Sequence, residues 1–323
     1  MSEHRERRTD RPAGTSRRRV LAAGAAPVLA AGALGGRTAA AADGPLQPVP
    51  TTEADWAGVA EALGGTGQMK GMLFHLPFPR TDLRVISEGV LVSPALLGLQ
   101  VGFVRYTDGS TLMMGDLTIT ERELQPVTAE LQSRHIAQTA IHKHLLGQTP
   151  ELWWVHFHTH GHAPLELAAD LRAVIDRTGA PTPAPQLPSP PPDLDTAGID
   201  AALGCRGTST AGNYQCPFVR RETMVEGHLV LPRGPGAMSA LNFQPLGRGR
   251  AALIGDFAVV ADEVQEVLAR LVDVGIDVVS LHSHSLNDEP RMYFVHTWVV
   301  GDGVEIATAT RHVLDATNVE PFF

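Results

Sequence analysis

Several things are scarce in this 323-residue chain, and each scarcity narrows what it can be. Aromatic residues make up 5%, so any core must be built mostly from Leu, Val, Ile and Ala. Basic residues are outnumbered, 26 Lys and Arg against 35 Asp and Glu, for a net charge of −9. An acidic surface repels phosphate backbones, so nucleic acid is excluded as a partner. A G-x-S-x-G elbow, a P-loop, an H-E-x-x-H helix and a dinucleotide fingerprint are all missing, which removes the chemistries those motifs carry. No apolar run reaches membrane-spanning length; the longest, at about 20–34, is too short for a confident transmembrane helix.

Cysteine is nearly absent too. Cys205 and Cys216 are the whole complement. Outside the cytoplasm a disulfide closing this short loop is the default reading; two thiolate metal ligands are the alternative, though the spacing is not C-x-x-C.

That short apolar run has a context of its own. It follows Ser16-Arg17-Arg18-Arg19-Val20-Leu21 and precedes an Ala-rich stretch offering an A-x-A cleavage site before Asp43. The pattern is that of a twin-arginine signal over residues 1–42, a route that exports folded proteins. No cysteine near the cleavage site could accept a lipid. The mature chain is expected to be secreted or extracytoplasmic and not membrane-spanning. It would carry 18 basic against 32 acidic side chains, a net −14.

Compared with itself, the chain repeats at an offset of 140 residues. Val59, Leu63 and Gly67 meet Ile199, Leu203 and Gly207; Pro77-Phe78 meets Pro217-Phe218; Gly115-Asp116 meets Gly255-Asp256. The register holds through His142, His144 and His156, which meet His282, His284 and His296. Between the copies lies PTPAPQLPSPPPDLD, an extended Pro-rich connector. The expected organisation is a first repeat domain over 43–180, a linker over 181–195 and a second repeat domain over 196–323. The two are expected to pack about a pseudo-twofold axis.

Each copy reads as α+β. Alternating segments at 99–106 and 110–119 flank Asp108-Gly109, a hairpin signal. Thr120 with Glu123 three residues on forms a capping-box pattern, and Leu124, Val127 and Leu131 give the following helix one apolar stripe. A strand ending in His142-Lys-His144, a turn with Pro150, a strand over 152–158 and a helix over 165–177 complete the unit. The expected architecture is an antiparallel or mixed sheet covered by helices.

The chemistry is concentrated in histidine. Side chains two apart on a strand share a face, so His142 and His144 can converge, with His156 opposite on the next strand. Three imidazoles placed so make an N3 site for Zn, Cu or Fe. The same applies to His282, His284 and His296. The first copy adds His158 and His160 in phase, as a fourth ligand or proton shuttle, where the second has Trp298 and Val300. If one copy is active, it is therefore the first. A lone buried histidine is ordinarily structural; the pattern H-x-H-x11-H occurring twice tips the reading to a divalent transition metal.

Other polar residues stay open. Asp116 and Asp256 either orient a ligand histidine or end their strands. Glu123 and Glu263 serve as general base or ligand, or cap a helix. Arg80 and Arg220 either bind an anionic group or pair with Asp82 and Glu222. His75 sits on a strand and could complete a site.

The segments PFPRTDL, GDLTITERE, IHKHLL and VHFHTHGH, then ALNFQPLG, GDFAVVADEV, LHSHSL and FVHTW, resemble the LppY/LpqO family of bacterial exported proteins across nearly the whole mature chain. The resemblance implies an exported tandem-repeat protein and offers no catalytic residues to carry over. A cupin, the rival for H-x-H with a later histidine, is all-β; the amphipathic helix before H-x-H argues against it. The residues thus point to an exported metal-binding protein, as a metal-dependent hydrolase or oxidoreductase acting on a small molecule or envelope component. The alternative is a non-catalytic metal- or ligand-binding protein of the envelope.

Overall fold

A computed structural model describes residues 44–234 and 236–323. The segment expected as a signal, residues 1–42, lies outside them. The first repeat runs α1 (Ala57–Leu63), β1 (Gln68–Lys70), β2 (Leu73–Phe78), β3 (Ile86–Ser87), β4 (Val90–Leu91), β5 (Leu99–Arg105), β6 (Thr111–Thr120), α2 (Glu121–Ser133), β7 (Ala137–His142), β8 (Leu152–Gly161) and α3 (Pro164–Ile175). The second repeats that order. It runs α4 (Thr196–Leu203), β9 (Thr208–Thr210), β10 (Asn213–Arg220), β11 (Val225–Glu226), β12 (Leu229–Val230), β13 (Met238–Gly247), β14 (Arg250–Val260), α5 (Val264–Asp273), β15 (Asp277–His282), β16 (Asp288–Glu289), β17 (Met292–Asp302), α6 (Gly303–Leu314) and β18 (Val319–Pro321). The linker between the repeats contains neither helix nor strand.

Each repeat builds one large antiparallel sheet, ordered β1-β2-β5-β6-β8-β7 in the first and β9-β10-β13-β14-β17-β15 in the second, with β18 also pairing β10, and one small sheet, β3-β4 in the first and β12-β11-β16 in the second. Two similar α+β domains in tandem are the fold. Local chemistry sets the elements. Asp108 accepts from the Ser110 amide at 2.9 Å and Gly109 adopts φ 82°, closing the β5–β6 hairpin. Glu123 accepts from the Thr120 amide at 2.7 Å to start α2, and Glu263 does the same for Val260 at 3.0 Å.

Buried arginines lock those helix starts to the sheets. Arg80 donates to Asp82, Glu123 and the Thr118 carbonyl; Arg220 donates to Glu222, Glu263 and the Ala258 carbonyl. The anion-site reading of these arginines therefore gives way to internal ion pairing.

Alternation along β8 shows how the layers stack. Val155 and Phe157 face the helices of their own repeat, in a core with Leu131 and Leu171. Leu152 and Trp154 face the other way and pack with Ala252, Ile254 and Trp298 of the second repeat. In the reciprocal cluster Met292 and Phe294 of β17 join Leu73, Val104 and Leu112 of the first repeat. The two sheets thus meet face to face with helices outside.

Short arms strengthen the embrace. Met224, Leu229 and Leu231, in and beside β11–β12, lie in that same cluster, and Val85 and Val92, beside β3–β4, do the equivalent across the axis. The N-terminal segment crosses over as well: Leu46 pairs with Leu229, and Pro48 with Tyr106. No helix among the described residues is long and apolar enough to cross a membrane.

Candidate metal centre

The even-numbered face of β8 carries His156 and His158 into the layer between the sheets, just past Trp154. On β6, Asp116 is the cross-strand partner of His156; on β14, Asp256 is the partner of His296. Strand β7 ends at His142, so His144 sits in the following bend rather than on the strand as expected. It converges all the same, its Nε2 lying 2.9 Å from His142 Nε2. A register shift between Gln138 and Ala140 puts His156 opposite Ala140, diagonal to His142 and on the same face.

Among the described residues the second repeat's His282, His284 and His296 form a set of their own, whereas the first repeat's expected triad of His142, His144 and His156 does not. All six histidines of the repeated pattern form one cluster across the pseudo-twofold axis, with the His142 and His282 rings stacked at 3.4 Å on it. Around them the distances repeat. His144–His296 is 3.8 Å and His156–His284 is 3.9 Å; His142–His144 is 4.9 Å and His282–His284 is 5.0 Å. Three histidine sets have ring nitrogens within 4.8 Å of one another: His142 with His156 and His282; His142 with His144 and His296; His282 with His284 and His296. Two of the three combine repeats.

Burial makes this cluster costly as it stands. Solvent-inaccessible ring nitrogens without a partner include His142 Nδ1, His156 Nε2, His284 Nε2 and both nitrogens of His282 and His296. Such orphaned groups are rare in folded proteins. Desolvation, followed by the neighbouring imidazoles, drives His142, His144, His156, His284 and His296 well below the ordinary histidine range. Burial alone pushes His282 to about 3. The rings are neutral, with lone pairs free for a cation. Nearby, burial lifts the Asp116 carboxyl to about 7, and burial with Asp116 alongside lifts Asp256 well above the carboxylate range. Asp256 Oδ1 lies 3.8 Å from His296 Nδ1. Neutral imidazoles beside destabilised carboxylates fit a divalent metal: it would occupy the lone pairs and offset the acid charge.

The remaining candidates fall elsewhere. His158 Nδ1 lies 2.6 Å from Glu226 Oε1 of the second repeat, beside the cluster. His160 Nε2 lies 2.6 Å from Ser110 Oγ, and its ring meets Tyr106 and His228 edge-on. Glu123 is outside the cluster, its oxygens held by Arg80 and the amides of Thr120 and Gly179. His75 pairs with Gln100 at 2.7 Å. Cys205 and Cys216 lie side by side as free thiols, where a disulfide was expected, with Asp200 within 4.8 Å of both. Sequence reasoning missed Glu226; the V-E-G-H stretch of β11 carries no periodic signal that would aim it across the axis.

A family model described as Domain of Unknown Function (DUF1259) matches residues 57–177 and, a second time, residues 197–316. No curated protein and no solved structure matches.

Proposed function

The chain belongs to that family, and from this premise we propose that it is an exported metalloprotein whose six clustered histidines hold a divalent transition metal for chemistry on a bound molecule. The observation that carries the reading is the set of buried, unpartnered imidazole nitrogens drawn from both repeats. Imidazole donors suit zinc, copper or iron, which would supply Lewis acidity or redox chemistry when bound. The protein's own residues do the rest. Asp116 and Asp256 stand opposite His156 and His296 on the adjacent strands, the Asp256 carboxyl 3.8 Å from His296 Nδ1. His158, steadied by Glu226, is the group placed to hold or move a proton at the wall of the open chamber beside the cluster. That opening favours an enzyme over a closed storage site. The twin-arginine pattern and the LppY/LpqO resemblance support export in the folded state.

Metal analysis of the exported protein tests this. Wild type should hold at least one equivalent of transition metal and begin at Asp43. Because the sets share ligands, His142→Ala/His144→Ala and His282→Ala/His284→Ala should each lose most of it, and His296→Ala alone should come close. Metal contents equal to wild type in all three would sink the proposal, and an exported chain retaining residues 1–42 would remove its signal-peptide part.

A further inference from the structure

The histidine cluster opens into a chamber of about 1110 Å³ between the sheets, reached by His144, His156 and His284 at its inner end. The volume exceeds the usual range for small-ligand sites, about 300–1,000 Å³. Its side walls come from equivalent strands of the two repeats. On one wall His75 of β2 meets Gln100 of β5; on the other Gln215 of β10 donates to Asn242 of β13 at 2.8 Å. These are neutral hydrogen-bonding groups, presenting donors and acceptors together.

Charge is sparse in the lining. Among the described residues Lys70 is the single Lys or Arg there, against the carboxyl groups of Asp116 and Glu226. A polyanion would find no clamp of guanidinium groups, and a wholly apolar ligand would meet polar amide groups rather than an apolar wall. Phe322 and the exposed Phe323 also line the chamber, their ring centroids 4.9 Å apart and their planes tilted by 54°.

We propose that this chamber binds a neutral carbohydrate chain a few sugars long, its hydroxyls paired by Gln100, Gln215 and Asn242 and its ring faces laid on Phe322 and Phe323. Hydroxyls both donate and accept, as amide walls require, and pyranose faces suit aromatic rings. As the substrate of the metal centre, the ligand rests on the function proposed above; as a bound molecule, it does not.

The test is calorimetric titration of the full chain with cellotetraose, chitotetraose and maltotetraose, beside tetragalacturonate and pentaglycine, before and after chelation. At least one neutral tetrasaccharide should bind once per chain, at least tenfold tighter than the anionic sugar or the peptide. Gln215→Ala and Gln100→Ala should each weaken it about tenfold in protein that still unfolds in one cooperative transition, with metal content unchanged. Binding of none of the three neutral sugars, equal affinity for the anion or peptide, or indifference to both substitutions overturns the inference. Sugar binding that survives in a chain found to hold no metal would leave this inference standing and sink the metal reading. Metal without sugar binding would do the reverse.

Discussion

An imidazole taken out of water loses its proton before it loses its lone pair, and this protein uses that difference repeatedly. His75 offers a case clear of the cluster. Burial, then the Lys70 charge, hold it at about 3 against 6.5 in the open chain. Below pH 6.5 the unfolded state takes the proton and the folded state refuses it, so stability falls with pH until about 3. The slope from this one residue is at most about 1.4 kcal/mol per pH unit. His75→Gln, which keeps a partner for Gln100, should flatten urea-derived stability between pH 6 and 4 relative to wild type. Parallel pH profiles for the two proteins would refute the assignment. At this scale the spacing picked out the right histidines but not their grouping: His282, His284 and His296 form a set, whereas His142 joins His144 to His296 and His156 to His282 of the other repeat. Glu226 was invisible because it meets His158 across a distance of 68 residues in sequence, and no local pattern encodes that.

Between elements, the site depends on how closely β5 and β6 approach. Gly115 pairs with Val101, and a Cβ at that position would run into the Gln100 carbonyl oxygen. The next residue is Asp116, the cross-strand partner of His156. Gly115→Ala should therefore destabilise by about 1–3 kcal/mol, the range for overpacking, and reduce metal content along with stability. A variant with wild-type stability would show that the strands can separate there at no cost. The hairpin at Asp108-Gly109 and the start of α2 were legible because turn and cap chemistry is local. The early end of β7 was not. His144 alternates correctly in the sequence, yet the chain bends after His142 while the ring still reaches the cluster.

In the whole molecule, sequence reading expected the two repeats to pack on each other but did not say which faces meet. Apolar residues occupy both faces of β8 and β17, as in Leu152-Trp-Trp-Val155 and Met292-Tyr-Phe-Val295, which signals burial on both sides. Periodicity says that a face is covered without saying by what. The answer is the other repeat, through Trp154, Ile254 and Trp298 on one flank and Leu112, Met292 and Phe294 on the other. Each such side chain contributes about 1.5–3 kcal/mol on burial. Residues 44–195 and 196–323 produced separately should accordingly expose these surfaces, bind a hydrophobic dye and hold little metal. Co-expression should restore both metal and a single unfolding transition. A first repeat that alone unfolds cooperatively and holds a full equivalent of metal would contradict this.

A centre lying on an axis of internal symmetry is what two identical single-repeat chains would assemble on meeting. In such an ancestor the ligand set would exist only at concentrations high enough for pairing. The proline-rich connector turns that encounter into an intramolecular one, so the centre assembles at any dilution. Fusion also releases the halves from being identical. That freedom accounts for His158 facing Glu226 on one side while Trp298 fills the equivalent position on the other.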